Sequence, residues 1–253
     1  MPGSSISWQR SWSRPRSARS QRQSMKTLGL IGGISWESTR EYYRIINETI
    51  RQREGGVASA PLLIHSFNFA EIASLQHAED WEALNAHMIA AARGLEAAGA
   101  QALVICSNYM HRCAPSLQAQ VKVPLLHIAD VLAKAILKNG HRRVGLLGAA
   151  GTMEHPFYQK ALQERGVETL IPEAEQRAEI SRIIYNELCA GQFTDTSRRI
   201  YCDIIEQLHT RGAEGVILGC TEIEQLVRQS DTAVTLYPTA ALHAQAAAEF
   251  ILS

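Results

Sequence analysis

The chain of 253 residues lacks any apolar run near the roughly 18 residues that a membrane-spanning helix needs. It also lacks an excess of either charge, since 25 Lys and Arg balance 25 Asp and Glu, which argues against a broad nucleic-acid-binding surface. None of its five cysteines forms a C-x-x-C pair, so neither a disulfide framework nor a zinc knuckle is indicated. With 46% apolar residues, we expect a globular protein of the reducing cytoplasm that holds no metal.

Residues 1–24 lack acidic side chains altogether, and they hold five arginines and eight serines. This composition predicts a disordered basic extension ahead of the folded body. Because transit peptides are also rich in Arg and Ser and poor in acid, that alternative stays open. Subtracting the five arginines from the net charge of zero leaves the remaining body at −5.

Short apolar runs alternate with longer amphipathic stretches from Met25 onward. Helices are expected between the runs and after the last one, where an Ala-rich helix at 239–252 closes the chain. Alternation of this kind predicts an α/β fold, with parallel sheets flanked by helices. We expect the runs to form strands at 28–31, 62–65, 103–106, 125–127, 144–147, 169–171, 216–218 and 234–236.

The second half of the chain repeats the first. Leu-Gly-Leu-Ile-Gly at 28–32 matches Val-Gly-Leu-Leu-Gly at 144–148. A second pair of matching segments ends at Ser107, 75 positions after Gly32, and at Cys220, 72 positions after Gly148. Two matching blocks at similar spacing predict two pseudo-symmetric α/β domains with an active site in the cleft between them. We assign residues 25–127 plus 238–253 to the first domain and residues 128–237 to the second.

The repeat places Ser107 opposite Cys220 and Asn108 opposite Thr221, each just after a predicted buried strand. Ligands of parallel α/β sheets bind beyond the carboxyl ends of the strands. A helix that starts there favours a bound carboxylate and lowers the pKa of a thiol. We therefore expect Cys220 to be partly thiolate, and Ser107 and Cys220 to approach one small carboxylate ligand from opposite sides.

The run Val-Ile-Leu-Gly-Cys-Thr-Glu at 216–222 is similar to the second signature of the aspartate/glutamate racemase family. The opening at 28–36 and Asn-x-Met-His at 108–111 resemble the same family, and the similarity extends from Met25 to the C-terminus. The resemblance implies two bases that flank the substrate Cα, no pyridoxal phosphate, no metal and often a homodimer.

Two positions depart from the family pattern. Most members have Cys-Asn-Thr where this chain has Ser-Asn-Tyr at 107–109, and similar members often have Asp-Thr where this chain has Pro-Thr at 238–239. Cys106 does not replace the missing thiol, because a shift of one residue along a strand turns the side chain to the opposite face. We expect Cys106 in the core, and Cys113, Cys189 and Cys202 as packing residues of helices.

The resulting hypothesis is a cofactor-independent racemase or epimerase of an amino acid, foremost aspartate or glutamate. The thiol of Cys220 would serve one face of Cα, and Ser107 with water or His111 the other. Arg40 and Arg182 are candidates to bind a side-chain carboxylate, and Ser107 and Asn108 could instead cap a helix. Other expected substrate contacts are Gly33, Ser35, Ser66, Asn108, Tyr109, His111, Thr221 and Glu222.

Two other functions stay open at this point. One is a decarboxylase or isomerase of a small dicarboxylate that uses Cys220 alone, because a serine hydroxyl is a poor base at neutral pH. The other is a non-catalytic amino-acid-binding protein, which the missing first thiol would permit.

Overall fold

The computed structural model describes residues 24–253. All but the last residue of the predicted basic extension at 1–24 lies outside the described residues, and its character stays a prediction. Within residues 24–253, no helix combines the length and the apolar character that crossing a membrane requires.

The first half contains a three-stranded parallel sheet. Its strands are β1 (Leu28–Gly32), β2 (Leu62–Ser66) and β3 (Ala102–Ile105), and they lie in the order β2-β1-β3. A short 3-10 helix, Tyr109–Cys113, follows β3. The helices of this half are α1 (Trp36–Glu54), α2 (Phe69–His77), α3 (Trp81–Ala97) and α4 (Ala114–Gln118).

The second half contains a four-stranded parallel sheet in the order β5-β4-β6-β7. Its strands are β4 (Arg143–Leu147), β5 (Glu168–Leu170), β6 (Gly215–Leu218) and β7 (Thr235–Pro238). Because β4, β5 and β6 take the places of β1, β2 and β3, the predicted α/β fold of two similar halves is confirmed. The helices that follow in chain order are α5 (Ile128–Lys138), α6 (Ala150–Glu154), α7 (Pro156–Gln163), α8 (Ala174–Asn186), α9 (Asp195–Thr210), α10 (Thr221–Leu226) and α11 (Thr239–Leu252).

Two local predictions differ from the structure. The strand predicted at 125–127 is a single parallel bridge between Leu125 and Leu103, because the His127 side chain already caps α5 and the chain turns into that helix. The single helix predicted at 153–165 is two helices, α6 and α7, which break at His155. Pro156 disfavours helical backbone at the residue before it, and His155 is extended as a result.

The last helix packs away from the strand that precedes it. The buried side chains of α11, which include Ala244, Ala247 and Ala248, lie in one core with Leu28 and Ile46 of the first half. The small alanines allow α11 and α1 to approach closely, and the Lys26 N–H donates to the Ile251 carbonyl oxygen beside them. The chain therefore crosses back to the first half after β7, while the exact domain boundaries stay a prediction.

Candidate active site

The carboxyl ends of β3 and β6 carry the two residues that the repeat places opposite each other. Ser107 lies two residues beyond the end of β3, Cys220 lies two residues beyond the end of β6, and both are half-buried. Their neighbours cross the seam between the halves: Thr221 Oγ1 lies 2.6 Å from Ser38 Oγ of α1. Tyr109 packs against Gly151 of α6, where an added Cβ would lie 2.6 Å from the tyrosine ring.

Cys220 is the N-cap residue of α10, and its thiol donates to Glu222 Oε2 at 2.8 Å. Burial and the adjacent Glu222 carboxylate raise the pKa of Cys220 well above its ordinary value. The expectation of a partly ionised thiol is therefore wrong for the free protein. The negative charge of Glu222 and the burial outweigh the favourable effect of a helix that has six residues.

Asn108 is buried and links the two halves. Tyr158 of α7 donates its hydroxyl to Asn108 Oδ1 at 2.9 Å, and Asn108 Nδ2 donates to Thr239 Oγ1 at 2.8 Å. These bonds fix the amide, so a helix cap does not account for Asn108. Capping by Ser107 is weak at best, because its Oγ is 3.5 Å from the Met110 nitrogen.

His111 does not fit the predicted role as a ligand contact or a helper base. Its Nδ1 lies 2.7 Å from the Ser107 carbonyl oxygen, which can only accept, so Nδ1 carries the proton. Its Nε2 accepts from the Ile128 N–H at 3.2 Å. With both nitrogens bonded to backbone, and with burial lowering the pKa of His111, the ring is a neutral structural group.

Gly33 also does not fit the predicted substrate contact. Its N–H donates to Thr39 Oγ1 at 2.8 Å, and a Cβ added at its φ of 77° would lie 2.3 Å from the Phe67 backbone. The glycine is needed for this internal approach of two loops rather than for a ligand. Ser35 caps α1 and lies half-buried, whereas Ser66 is exposed at the carboxyl end of β2.

The other thiols divide by burial. Cys106 and Cys113 are fully buried, as predicted, and Cys202 is half-buried. The packing role predicted for Cys189 is wrong, because this residue is exposed in the 3-10 turn Leu188–Ala190 that follows α8.

Both candidate arginines form ion pairs with neighbouring carboxylates. Arg40 pairs with Glu41 and lies over the Trp36 ring, and Arg182 pairs with Glu179 and Glu187.

The sequence did not indicate four residues near the contact between the two halves as site residues: Ser38, Tyr158, Glu224 and Thr239. Thr239 gave a signal only as part of the departure from Asp-Thr. The other three are ordinary helix residues in sequence, and only the meeting of the two halves gives them partners.

A groove of about 460 Å³ lies beside this site, with walls from both halves that include His111, Arg112 and Phe157. Neither Ser107 nor Cys220 lines it, so the groove is not the predicted catalytic cleft. In residues 24–253, no group of three or more His, Cys, Asp or Glu side chains is arranged to hold a metal ion.

Comparison with known proteins identifies the family that shares this arrangement. The pattern of the Asp/Glu/Hydantoin racemase family matches residues 31–247. A crystal structure described as an Asp/Glu racemase from Yersinia pestis is 44% identical, with a TM-score of 0.87 over 90% of this chain and 100% of that one. An aspartate racemase homologue from Pyrococcus horikoshii OT3 is 36% identical, with a TM-score of 0.82 over the same shares of the two chains.

A curated relative, the glutamate racemase of Latilactobacillus sakei, is 28% identical over 136 residues, which are 53% of this chain and about half (48%) of that protein. The family pattern spans most of the chain and includes both Ser107 and Cys220. The chain therefore belongs to the Asp/Glu/Hydantoin racemase family, and it is an isomerase of the racemase type.

Proposed function

We propose that the protein interconverts the enantiomers of an acidic amino acid, aspartate or glutamate, by moving the Cα proton without a cofactor. The observation that carries this proposal is the Cys220 thiol beyond β6, hydrogen-bonded to Glu222 at 2.8 Å, at the position that the repeat pairs with Ser107. The family pattern and the likeness to the Yersinia pestis and Pyrococcus horikoshii proteins support a racemase over a dicarboxylate decarboxylase or a binding protein.

The raised pKa of Cys220 means that the thiol is protonated before substrate binds. For abstraction, the thiol proton moves to Glu222 along the existing hydrogen bond, and the thiolate then takes the Cα proton. This leaves a planar carbanion whose carboxylate is held by Asn108 and Thr221. In the opposite direction, Cys220 gives its thiol proton to Cα, and the thiolate then regains a proton from solvent by way of Glu222, which replaces the proton that water removes on the other face.

On the other face of Cα, we assign the proton transfer to Ser107. A serine hydroxyl is far less acidic than a thiol, so Ser107 orients a solvent water that gives or takes the proton on that face. The two faces are chemically unequal, and we expect the two enantiomers to turn over at different rates. We also expect a homodimer in the cytoplasm, where free thiols persist.

The test is exchange of the Cα proton in deuterated buffer, followed by proton NMR, with L- and D-aspartate and L- and D-glutamate offered separately. We expect exchange and inversion with one of the two acidic amino acids. Cys220→Ala should abolish both, whereas Cys202→Ala removes a half-buried thiol elsewhere and should leave them unchanged. Robust turnover by Cys220→Ala would refute the proposal, as would loss of carbon dioxide from a substituted malonate without any amino-acid exchange.

A further inference from the structure

A buried carboxylic acid lies close to the proposed site but takes no part in the mechanism above. Glu224 is on α10, one turn after Cys220, and it accepts from the Ala240 N–H at 2.7 Å and the Ala241 N–H at 3.4 Å. It therefore caps the first turn of α11. Burial raises the pKa of Glu224 to about 7, against the lowering effect of these hydrogen bonds.

A chain of hydrogen bonds leads from Glu224 to the amide that is proposed to hold the substrate. Glu224 Oε1 lies 3.3 Å from Thr239 Oγ1, and Thr239 Oγ1 accepts from Asn108 Nδ2 at 2.8 Å. Tyr158 donates to the other end of the same amide at 2.9 Å. Thr239 is fully buried, and solvent cannot replace these partners.

We propose that Glu224 is a positioning residue for the reaction: acting through Thr239, it sets the orientation of the Asn108 amide against the substrate. This inference rests on the proposed function, since it assigns a control over Asn108 in that reaction. Glu224 itself does not touch the substrate.

The reason lies in the count of protons at Thr239. Its hydroxyl has one proton, and two acceptors face it: the Leu218 carbonyl oxygen at 2.9 Å and Glu224 Oε1 at 3.3 Å. An ionised Glu224 competes strongly for that proton, and a neutral Glu224 leaves it to Leu218. The Thr239 hydroxyl has a different rotation in each of these two hydrogen bonds, so a different lone pair of its oxygen accepts from the Asn108 side-chain amide.

Among the ionisable groups around Glu224, Glu224 is the one that we expect to gain or lose a proton near neutral pH. Glu222 on the same helix raises the pKa of Glu224 further. Tyr158 of α7 and Tyr42 of α1 are buried, and burial raises the pKa of both, so they stay neutral. His243 of α11, whose Nδ1 lies 2.9 Å from the Tyr42 hydroxyl, has its pKa lowered by burial to about 4 and is also neutral.

The experiment compares Glu224→Gln, Thr239→Val and Thr239→Ser with the wild-type chain by two readouts. The first needs no substrate: the NMR signals of the Asn108 side-chain amide are followed from pH 5.5 to 8.5, a window of about 1.5 units on either side of the pKa. We expect an inflection near pH 7 in the wild type and in Thr239→Ser, and none in Glu224→Gln or Thr239→Val.

The second readout is the rate of Cα exchange. We expect Thr239→Val to lower kcat ~10-fold or more with a smaller change in KM, and Thr239→Ser to restore most of it. An Asn108 titration that persists in Glu224→Gln, or an unchanged kcat in Thr239→Val, would overturn the inference. If the wild type exchanges no acidic amino acid, the proposed function fails, and the amide titration still decides whether Glu224 controls Asn108.

Discussion

Replacing Glu222 by glutamine should lower the pKa of the Cys220 thiol and make this thiol react faster with an alkylating reagent. The carboxylate oxygen lies 2.8 Å from Sγ, and its charge opposes ionisation of the thiol. Two unit charges at that distance repel by about 1.5 kcal/mol in water and by about 6 kcal/mol at an effective dielectric constant of 20. Because Cys220 is half-buried, we take the lower figure as a minimum for the repulsion that the carboxylate exerts on the ionised thiol.

Removal of about 1.4 kcal/mol of this repulsion raises the thiolate fraction about tenfold near neutral pH. A less basic thiolate is also a weaker nucleophile, with a Brønsted coefficient of about 0.4–0.5, which removes about threefold of that gain. The net alkylation rate of Cys220 in Glu222→Gln should therefore rise at least about threefold.

The assay is alkylation by iodoacetamide near neutral pH, with the Cys220 peptide followed by mass spectrometry. Every protein compared in this assay also carries Cys189→Ser, because Cys189 is exposed and would consume reagent. Glu48→Gln on α1 removes a half-buried carboxylate of the other half, which pairs with Arg44, and should leave the rate unchanged. A Cys220 that reacts at the same rate or more slowly in Glu222→Gln would show that the carboxylate does not hold the thiol protonated.

Two further predictions concern stability. Gly33→Ala should destabilise the fold by more than ~2 kcal/mol in urea unfolding, because the new Cβ would lie 2.3 Å from the Phe67 backbone. Gly56→Ala is the control: this residue has a φ of 61° but open space around it, so the substitution should cost only ~1 kcal/mol. Equal losses of stability in the two variants would contradict the assigned role of Gly33. In Glu224→Gln, which removes the opposing effect of the raised Glu224 pKa, the folded protein should lose stability as the pH falls below 6.5, because burial lowers the pKa of His111 and takes that of His243 to about 4, so both rings gain protons more readily when unfolded. Lowering of the pKa of His243 alone corresponds to a loss of roughly 3 kcal/mol by pH 4, and an unfolding midpoint of Glu224→Gln that is flat between pH 6.5 and 4.5 would contradict it.

Local sequence determined the α/β class, the repeat and the placement of the two opposed residues. Apolar runs such as 28–31 and 144–147 identify buried strands, because a parallel sheet covered on both faces needs continuous apolar side chains. The residue after such a run must lie at the carboxyl edge, which is why Ser107 and Cys220 could be assigned to it. The one-residue offset of Cys106 likewise sufficed to predict its burial, since side chains alternate along a strand.

The tertiary structure decided how these residues are charged and what they contact. Glu222 is only two positions from Cys220, yet the sequence could not show that its carboxylate turns back onto the thiol and raises its pKa. Thr221 and Ser38 are 183 positions apart, and Asn108 and Tyr158 are 50 apart. Such contacts depend on how the two halves pack, and periodicity within a helix or a strand carries no information about that packing.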